Sequence, residues 1–296
     1  MFKRTSLVRS LGGISIAAAV TLASAALATP ASAANLPVGC SQAALAAAID
    51  TANSTPGSDM LNLAPNCVYT LSGELPAITS TIVLNGNGDT LQQTGTSRVL
   101  TVNGGDLTVR AATLSGGDAT GASFQQGAGG AIVVDGSGSL TVLASTIRGN
   151  LANFGGGISV FHGSTALVQA STVTNNTAAV NGGGLVNDGT LTVWASQVTG
   201  NSAGRAGGGI ANIGTLTVQA SAINRNTATG DGGGLANGVP GDSHGTATVT
   251  ATTISGNSAA NGGGISNTGV SLALRSSRVV GNTPDNCSPA VAGCTG

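Results

Sequence analysis

The side chains of this chain that could do acid–base chemistry fall near one position of a repeated pattern. Runs of the type Leu-Thr-Val recur, and an Asp or a His precedes the Val of four such runs by five to seven residues. If the runs stack, one turn edge gathers Asp135, His162, Asp188, Asp242 and His244. These residues could form a His acid/base beside a carboxylate, or a weak Ca²⁺ site. Alternatively, turns simply collect Asp, His and Gly. The variable position of these residues within the turns, with Ile213 in the intervening coil, favours the second interpretation.

Six Asn residues recur at intervals of 25 to 31 residues, and each closes an S-x-[VI]-x-x-N pattern or a near variant. They are Asn150, Asn176, Asn201, Asn226, Asn257 and Asn282. A stacked row of amides could bind a glycan, or it could bond side chain to side chain and hold bent backbone in neighbouring coils. We expect a structural ladder. The same prediction applies to the shorter row Asn187, Asn212, Asn237 and Asn267.

A third set consists of Thr residues that alternate with apolar residues in the Leu-Thr-Val runs. It comprises Thr141, Thr190, Thr192, Thr215, Thr217, Thr246 and Thr248. Such a regular outward array resembles the surfaces of β-solenoid ice-binding proteins, which implies an ice-binding or ligand-binding face. Leu167 and Ala273 interrupt the array, and Thr is a natural exposed strand residue. Trp194, the only Trp, follows an inward-pointing Val and should point outward, where it could stack on a sugar.

These side chains require a repeating scaffold, and two independent markers define its period. Triple-glycine signatures begin at Gly155, Gly182, Gly207, Gly232 and Gly262, spaced by 27, 25, 25 and 30 residues. The Asn row keeps the same step, and self-similarity at roughly 20–50 residues is typical of a solenoid. Each period holds three short alternating runs, which form parallel sheets only when coils stack at about 4.8 Å. The sequence therefore predicts an all-β fold, a three-sheet parallel β-helix of about eight coils.

The amino end has the features of an export signal. Three basic residues precede an apolar run over 11–27, and Ala31-Ser32-Ala33 matches a small-residue cleavage site. A membrane anchor is the weaker alternative, because the run is short for a span. We predict a signal peptide over 1–33, an N-terminal cap over 34–77, the β-helix over 78–283 and a C-terminal cap over 284–296.

Both caps carry a pair of cysteines. The segment 41–53 is predicted to form a short helix with Ser41 as N-cap, covering the open end of the first coil. Four cysteines in a secreted chain allow three pairings. A rigid solenoid separates the two pairs by tens of ångströms, beyond disulfide reach, so we predict Cys40–Cys67 and Cys287–Cys294. A metal site is the alternative, but no CxxC spacing exists and His is scarce.

Composition excludes several partners. Charged residues are 7% of the chain, and removal of the signal peptide would leave seven Arg against eleven acidic residues, a net charge of −4. Such a chain lacks the basic patch that would bind nucleic acid or anionic lipid. No second apolar run long enough to span a membrane follows the first. Low charge could also indicate disorder, but Val, Ile and Leu recur in register. We expect a monomer that is secreted or held at the cell surface.

The repeated G-G-[AGI]-[ILV] and S-x-[VI]-x-x-N elements over roughly 99–283 resemble right-handed parallel β-helix proteins of the polymorphic outer-membrane protein type, within the pectin-lyase-like superfamily. The segment from Cys40 through Asp59 to the residues 68–71 is similar to the amino-terminal cap of CSLREX-type extracellular repeat proteins, although Gln42-Ala43-Ala44 replaces Leu-Arg-Glu. The resemblance implies a right-handed helix and an exported protein whose relatives mostly serve adhesion. The chain carries no carboxy-terminal barrel within its 296 residues, which puts outer-membrane insertion in doubt.

Enzymes also belong to that superfamily, so the resemblance carries a second expectation. Its hydrolases use an adjacent Asp-Asp pair, and its lyases use a Ca²⁺-binding carboxylate cluster with an Arg or Lys base. Here Glu74 and ten isolated Asp residues include no such pair, while glycoside hydrolysis needs two carboxyls within about 5–10 Å. We therefore expect a non-catalytic, cofactor-free adhesion or scaffold module that binds a polysaccharide or a surface protein. The alternatives are a polysaccharide lyase or hydrolase using the Asp/His edge, and ice binding through the Thr array.

Overall fold

A computed structural model describes residues 33–294 as a stack of short parallel strands with one helix near the amino end. The predicted signal peptide, except for Ala33, lies outside the described residues. Strands of successive coils pair in register and build sheets of ten, nine and eight strands, with a further sheet of four. The fold is a parallel β-helix of about ten turns, with its interior running the length of the stack.

Four sheets run along the stack, and each is named here by its order in the coil. Sheet A consists of Asn35–Val38, Ser58–Leu63, Thr81–Asn85, Asp106–Arg110, Ser139–Leu143, Thr165–Gln169, Thr190–Trp194, Thr215–Gln219, Thr246–Thr250 and Ser271–Arg275. Sheet B consists of Val68–Leu71, Thr90–Gln93, Thr113–Ser115, Thr146–Arg148, Thr172–Thr174, Gln197–Thr199, Ala222–Asn224, Thr253–Ser255 and Arg278–Val280. The short sheet consists of Leu151–Phe154, Thr177–Asn181, Ser202–Ala203 and Thr227–Ala228. Sheet C consists of Leu100–Asn103, Ile132–Asp135, Ile158–Val160, Leu185–Asn187, Ile210–Asn212, Leu235–Asn237, Ile265–Asn267 and Cys287–Ser288.

The alternating runs form strands because every second residue can be buried once the coils stack. In Thr190–Trp194, Leu191 and Val193 are fully buried, and they lie against Leu216 and Val218 of the next coil. Successive side chains of a strand point to opposite faces, so the intervening Thr residues face outward. One strand buries only two side chains, and stability therefore accumulates over the stack of coils.

The sequence-based coil count of eight was too low, and the count of three sheets omitted one. Asn35–Val38 and Ser58–Leu63 already belong to sheet A, although both lie within the segment predicted to be a cap. These early strands lack the Gly and Asn markers that define the period in the sequence. The fourth, short sheet exists only in the coils where the chain between the Asn marker and the triple glycine runs parallel to its neighbour.

The predicted helix and both disulfides are present. The helix spans Gln42–Ser54, and the Oγ of Ser41 accepts the backbone N–H of Ala44 at 3.1 Å, as an N-cap does. Leu45 and Ile49 are fully buried against the first coils. Disulfides join Cys40 to Cys67 and Cys287 to Cys294, leaving no free cysteine among residues 33–294. Within the same residues, no helix is both long and apolar enough to cross a membrane.

A 3-10 turn at Phe124–Gly127 interrupts the early coils, next to a buried cation. The guanidinium of Arg98 donates to the carbonyl oxygens of Phe124 and Ala128 at 3.1 Å, and lies 5.5 Å from the centre of the Phe124 ring. Burial lowers the pKa of Arg98, and Glu74 at 3.8 Å partly opposes this. This contact holds the longest insertion between sheets B and C against the stack.

Candidate functional site

The turns from sheet C into sheet A differ in length from coil to coil, and this variation shapes a groove. Four residues, 161–164, connect the strands in one coil, whereas Asp188-Gly189 and Ile213-Gly214 make the connection with two residues in the next two coils. The following coil has an eight-residue connection, 238–245. Two short turns therefore lie between two longer ones, and the longer turns form walls on either side of them.

This groove has a volume of about 620 Å³ and contains three of the five predicted acid–base residues. His162 lies on one wall, His244 on the other, and Asp188 on the floor beside Ile213. The remaining lining is backbone of the turns and the first Thr of each neighbouring strand of sheet A, namely Thr165, Thr190, Thr215 and Thr246. The groove thus opens directly onto the outer face of sheet A.

The two walls belong to coils that are well separated along the stack. The strands that follow His162 and His244 are three strand spacings apart, or about 14 Å. Within residues 33–294, the one contact between a His and a carboxylate is that of His244 Nδ1 with Asp242 Oδ1, at 2.7 Å. The His244 side chain is 85% exposed. The hydrogen bond from His244 lowers the pKa of Asp242, although slight burial opposes the shift.

Asp242 and Asp135 lie outside the groove. Asp242 lines a separate depression with Asp231 and the tip of the 238–245 connection. Asp135 ends a strand of sheet C and accepts a hydrogen bond from the side chain of Gln125 in the early insertion. The sequence predicted that all five residues lie on one edge, but only His162, Asp188 and His244 share a groove.

The predicted Thr array lies on the outer face of sheet A in exact register. Thr190, Thr215 and Thr246 form one column, and Thr192, Thr217 and Thr248 form the next. Thr141 lies in the second column two coils earlier, with Leu167 between it and Thr192, and Ala273 ends that column. Both columns therefore carry Thr side by side over three coils, and the first column continues through Thr165 to the preceding coil.

Trp194 occupies the third column of the same face, between Gln169 and Gln219 of the adjacent coils. Its side chain is 43% exposed, as its position after an inward-pointing Val predicted. The outward positions of the five strands from Ser139–Leu143 to Thr246–Thr250 carry no charged side chain. The face is therefore flat, neutral and rich in hydroxyl and amide groups, with one aromatic ring.

The six marker Asn side chains are buried and bonded to one another. Each Nδ2 donates to the Oδ1 of the Asn in the next coil, at 2.9–3.0 Å from Asn150 to Asn282. The same oxygen also accepts the backbone N–H of the preceding Asn, as in Asn176 to Asn201 at 2.9 Å. A second hydrogen of each amide goes to a backbone carbonyl, such as Val173 for Asn201. These amides have no capacity left to bind a glycan.

Two features of this interior, a glycine contact and a Ser/Thr ladder, were not inferred from the sequence, whereas the shorter Asn row was predicted to be a ladder. The third glycine of each triplet lies against the Asn ladder, because a Cβ on Gly184 would fall 3.1 Å from the Nδ2 of Asn201. A second ladder runs through Ser145, Ser171, Ser196, Ser221, Thr252 and Ser277, each hydroxyl accepting the preceding backbone N–H at 3.1–3.4 Å. The Ala-Ser pair that precedes four successive strands of sheet B, from Thr146–Arg148 to Ala222–Asn224, was the signal for it. The shorter row from Asn187 to Asn267 forms a third ladder, at 2.7–2.8 Å.

Among residues 33–294, no three His, Cys, Asp or Glu side chains come together in a way that could hold a metal ion. Comparisons with protein-family models, with curated proteins and with solved structures find no match for this chain. The candidate site therefore consists of the groove and the adjoining outer face of sheet A.

Proposed function

We propose that the protein is exported and acts outside the cell as a non-catalytic β-helix that binds a polysaccharide, serving adhesion or as a scaffold. The observation that carries the proposal is the continuity of the groove with the neutral outer face of sheet A. The first column of that face, Thr165 to Thr246, is also the rim of the groove. A chain molecule lying in the groove would extend across the hydroxyl columns.

The chemistry of this surface matches a neutral glycan. Sugar hydroxyls pair with Thr hydroxyls, Gln amides and turn backbone, and a sugar ring stacks on an exposed aromatic side chain. Trp194 offers such a ring in the same strand as Thr190 and Thr192. Since the five central strands present no charge, recognition here depends little on ionic strength. An acidic polysaccharide would find no row of Arg or Lys on this face.

Export is supported by separate observations. The amino-terminal sequence has the composition of a signal peptide. Both disulfides join residues of the same cap, and disulfides persist mainly in oxidising compartments. The repetitive outer face of sheet A, which is uncharged over its five central strands, is suited to binding extended polymers.

Binding to insoluble neutral polysaccharides tests the proposal, with release of reducing or unsaturated ends measured in the same samples. We expect retention without product release, unchanged by added salt or Ca²⁺. The variant Trp194→Ala should weaken retention by about fivefold, the equivalent of losing one stacking contact of roughly 1 kcal/mol. Gln197→Ala, an exposed residue on sheet B of the same coil, is the matched control and should bind normally. Equal binding by both variants, or no retention on any neutral glycan, would contradict the proposal.

The enzyme alternative rests on the presence of His162, Asp188 and His244 in one groove. A lyase or hydrolase using this edge would release product and would lose that activity in Asp188→Ala and His244→Ala. Within the described groove Asp188 is the carboxylate, whereas most glycoside hydrolases use two, and this favours binding over hydrolysis. Product release by the purified protein that disappears in these variants would reverse the assignment.

Ice binding is a third candidate, because the Thr columns of three coils are in register. Thermal hysteresis and inhibition of ice recrystallisation test it. If ice were the ligand, Thr217→Tyr should abolish both effects, because a bulky side chain would lift the flat face from the crystal. Glycan retention by the same protein without any thermal hysteresis would favour the polysaccharide proposal.

A further inference from the structure

One acidic side chain is fully buried at the start of the stack, where the sheets begin. Asp59 has no exposed surface, and its Oδ2 accepts the hydroxyl hydrogen of Thr55 at 2.7 Å. Its Oδ1 accepts the backbone N–H of Ala34 at 2.8 Å. No ion pair involves Asp59 within residues 33–294. A buried carboxylate is costly unless a positive group compensates it, and two neutral donors do so only in part.

Ala34 is also the first residue after the predicted signal-peptide cleavage point. Hydrolysis of the Ala33–Ala34 peptide bond consumes one water molecule, leaves a carboxylate on Ala33 and converts the Ala34 amide nitrogen into an α-amino group. That amino group is protonated at neutral pH and carries three hydrogens instead of one. The nitrogen that touches Asp59 would therefore become a cation without any rearrangement of the chain.

We propose that Asp59 binds the new N-terminal ammonium, so that signal-peptide removal creates an ion pair with this buried carboxylate and stabilises the first coil. Ala34 is held in place on its other side as well, because its carbonyl accepts the backbone N–H of Met60 at 2.8 Å. Thr55, the residue that caps the helix Gln42–Ser54, donates to the same carboxylate. The ion pair thus ties the mature amino terminus to the helix end and to the second strand of sheet A.

This inference does not depend on the glycan-binding proposal. It depends on cleavage between Ala33 and Ala34, which N-terminal sequencing of the secreted protein tests directly. A first residue other than Ala34 would overturn it, whatever the protein binds.

The decisive comparison is between the mature chain and a chain that retains Ala33 as its first residue. Both carry one α-ammonium, but in the longer chain the charge is moved by one residue, about 3.8 Å along the backbone. We expect the α-amino pKa of the mature chain to lie about one unit or more above its ordinary value of roughly 7.7–8.0. One unit corresponds to about a tenfold larger folding equilibrium constant. That gain is complete below about pH 7.7 and is lost as pH rises through the raised pKa.

Denaturant unfolding from pH 6 to pH 10 measures this difference. The mature chain should resist unfolding more than the Ala33 chain at pH 7, and the two curves should converge above pH 9. Asp59→Asn should bring the two chains together at all pH values. If that variant does not fold, the comparison of the two chains with Asp59 intact still decides. Equal stability and equal pH dependence of those two chains would overturn the proposal.

Discussion

Two turn regions of each coil differ in how much they change from one coil to the next. At the corner between sheet B and the short sheet, every coil from Asn150 onward places the same side chain in the same position. At the edge between sheet C and sheet A, the connections vary from two to eight residues and their side chains differ. Both regions are turns of the same chain and carry the same strands.

The difference follows from which groups must be satisfied inside the molecule. At the Asn corner the amide is buried, and each Oδ1 accepts two hydrogen bonds from the Asn of the preceding coil. An insertion there would therefore disrupt hydrogen bonds in two coils at once. At the variable edge the turns are outside the stack, where water satisfies them and longer connections cost little. The corner therefore fixes the coil, and the edge is free to form a binding groove.

Removal of one Asn side chain from the ladder at this corner should produce the largest loss of stability. In Asn201→Ala, the Nδ2 and backbone N–H of Asn176 lose their acceptor, and Asn226 and Val173 lose their donors. Because all these groups are buried, we expect a loss of about 4 kcal/mol in the free energy of unfolding. Denaturant unfolding measures it. Asp188→Ala at the variable edge, the matched control, should cost less than about 0.5 kcal/mol. Equal losses of stability in the two variants would contradict this difference between the Asn corner and the variable edge.

The glycine that faces the ladder should be the second most sensitive position. In Gly184→Ala, the new Cβ would lie 2.7 Å from the carbonyl oxygen of Gly209 and 3.1 Å from the Nδ2 of Asn201. Overpacking against backbone of this kind costs about 2–3 kcal/mol. Gly121 has open space around it, so Gly121→Ala should leave the free energy of unfolding within about 0.5 kcal/mol of that of the native protein. A tolerated Gly184→Ala would mean that the coils can shift to admit a methyl group.

The same contrast explains what the sequence could predict. The period, the inward Leu and Val and the Asn row were visible, because the corner repeats and repetition is a sequence property, and the cysteine pairs followed from the length of the resulting stack. The contact between Gly184 and Asn201 was not, because it joins residues of different coils across the interior. The shared spacing of the glycine triplets and the Asn row was the signal for this contact. The coil count was too low because strands such as Asn35–Val38 carry no marker.

The groove was harder to foresee than the fold. Counting residues back from a strand predicts which turn residues lie on one edge. It does not predict how far each turn projects from the stack of coils. Asp188 and His162 were correctly assigned to one edge, and the groove arises from the two-residue turns between longer ones. Asp242 was placed with them by the same count. Because the eight-residue connection projects beyond the edge, its contact with His244 lies on the wall and its depression lies outside the groove.

Shortening the long connection should separate binding from stability. Deletion of 238–243 leaves His244-Gly245 as a two-residue turn like Asp188-Gly189, and keeps Gly245, whose carbonyl accepts the side chain of Asn237 at 3.1 Å. Loss of a surface connection should change the free energy of unfolding by less than about 1 kcal/mol. One wall of the groove is lost, so glycan retention should fall by about tenfold or more. Pro240→Ala, which keeps the wall, is the control and should bind normally. A deletion variant with full retention would place the binding surface elsewhere on sheet A.

Acid should produce the smallest effect, and it should be confined to this same connection. The hydrogen bond from His244 lowers the pKa of Asp242 below its ordinary value, so its contribution to loop order is present above about pH 3.9 and is lost as pH falls through the lowered value. Backbone NMR signals of 238–245 should therefore shift together at a pH below that ordinary value, while signals of the Asn corner stay unchanged, because neutral amides do not titrate there. In Asp242→Asn this shared transition should vanish from the connection, while the signals of the Asn corner stay as they are in the native protein. A transition that survives in Asp242→Asn would trace the pH response to another carboxylate, and a shift of the Asn corner in the same range would show that the variable edge and the buried ladder are coupled after all.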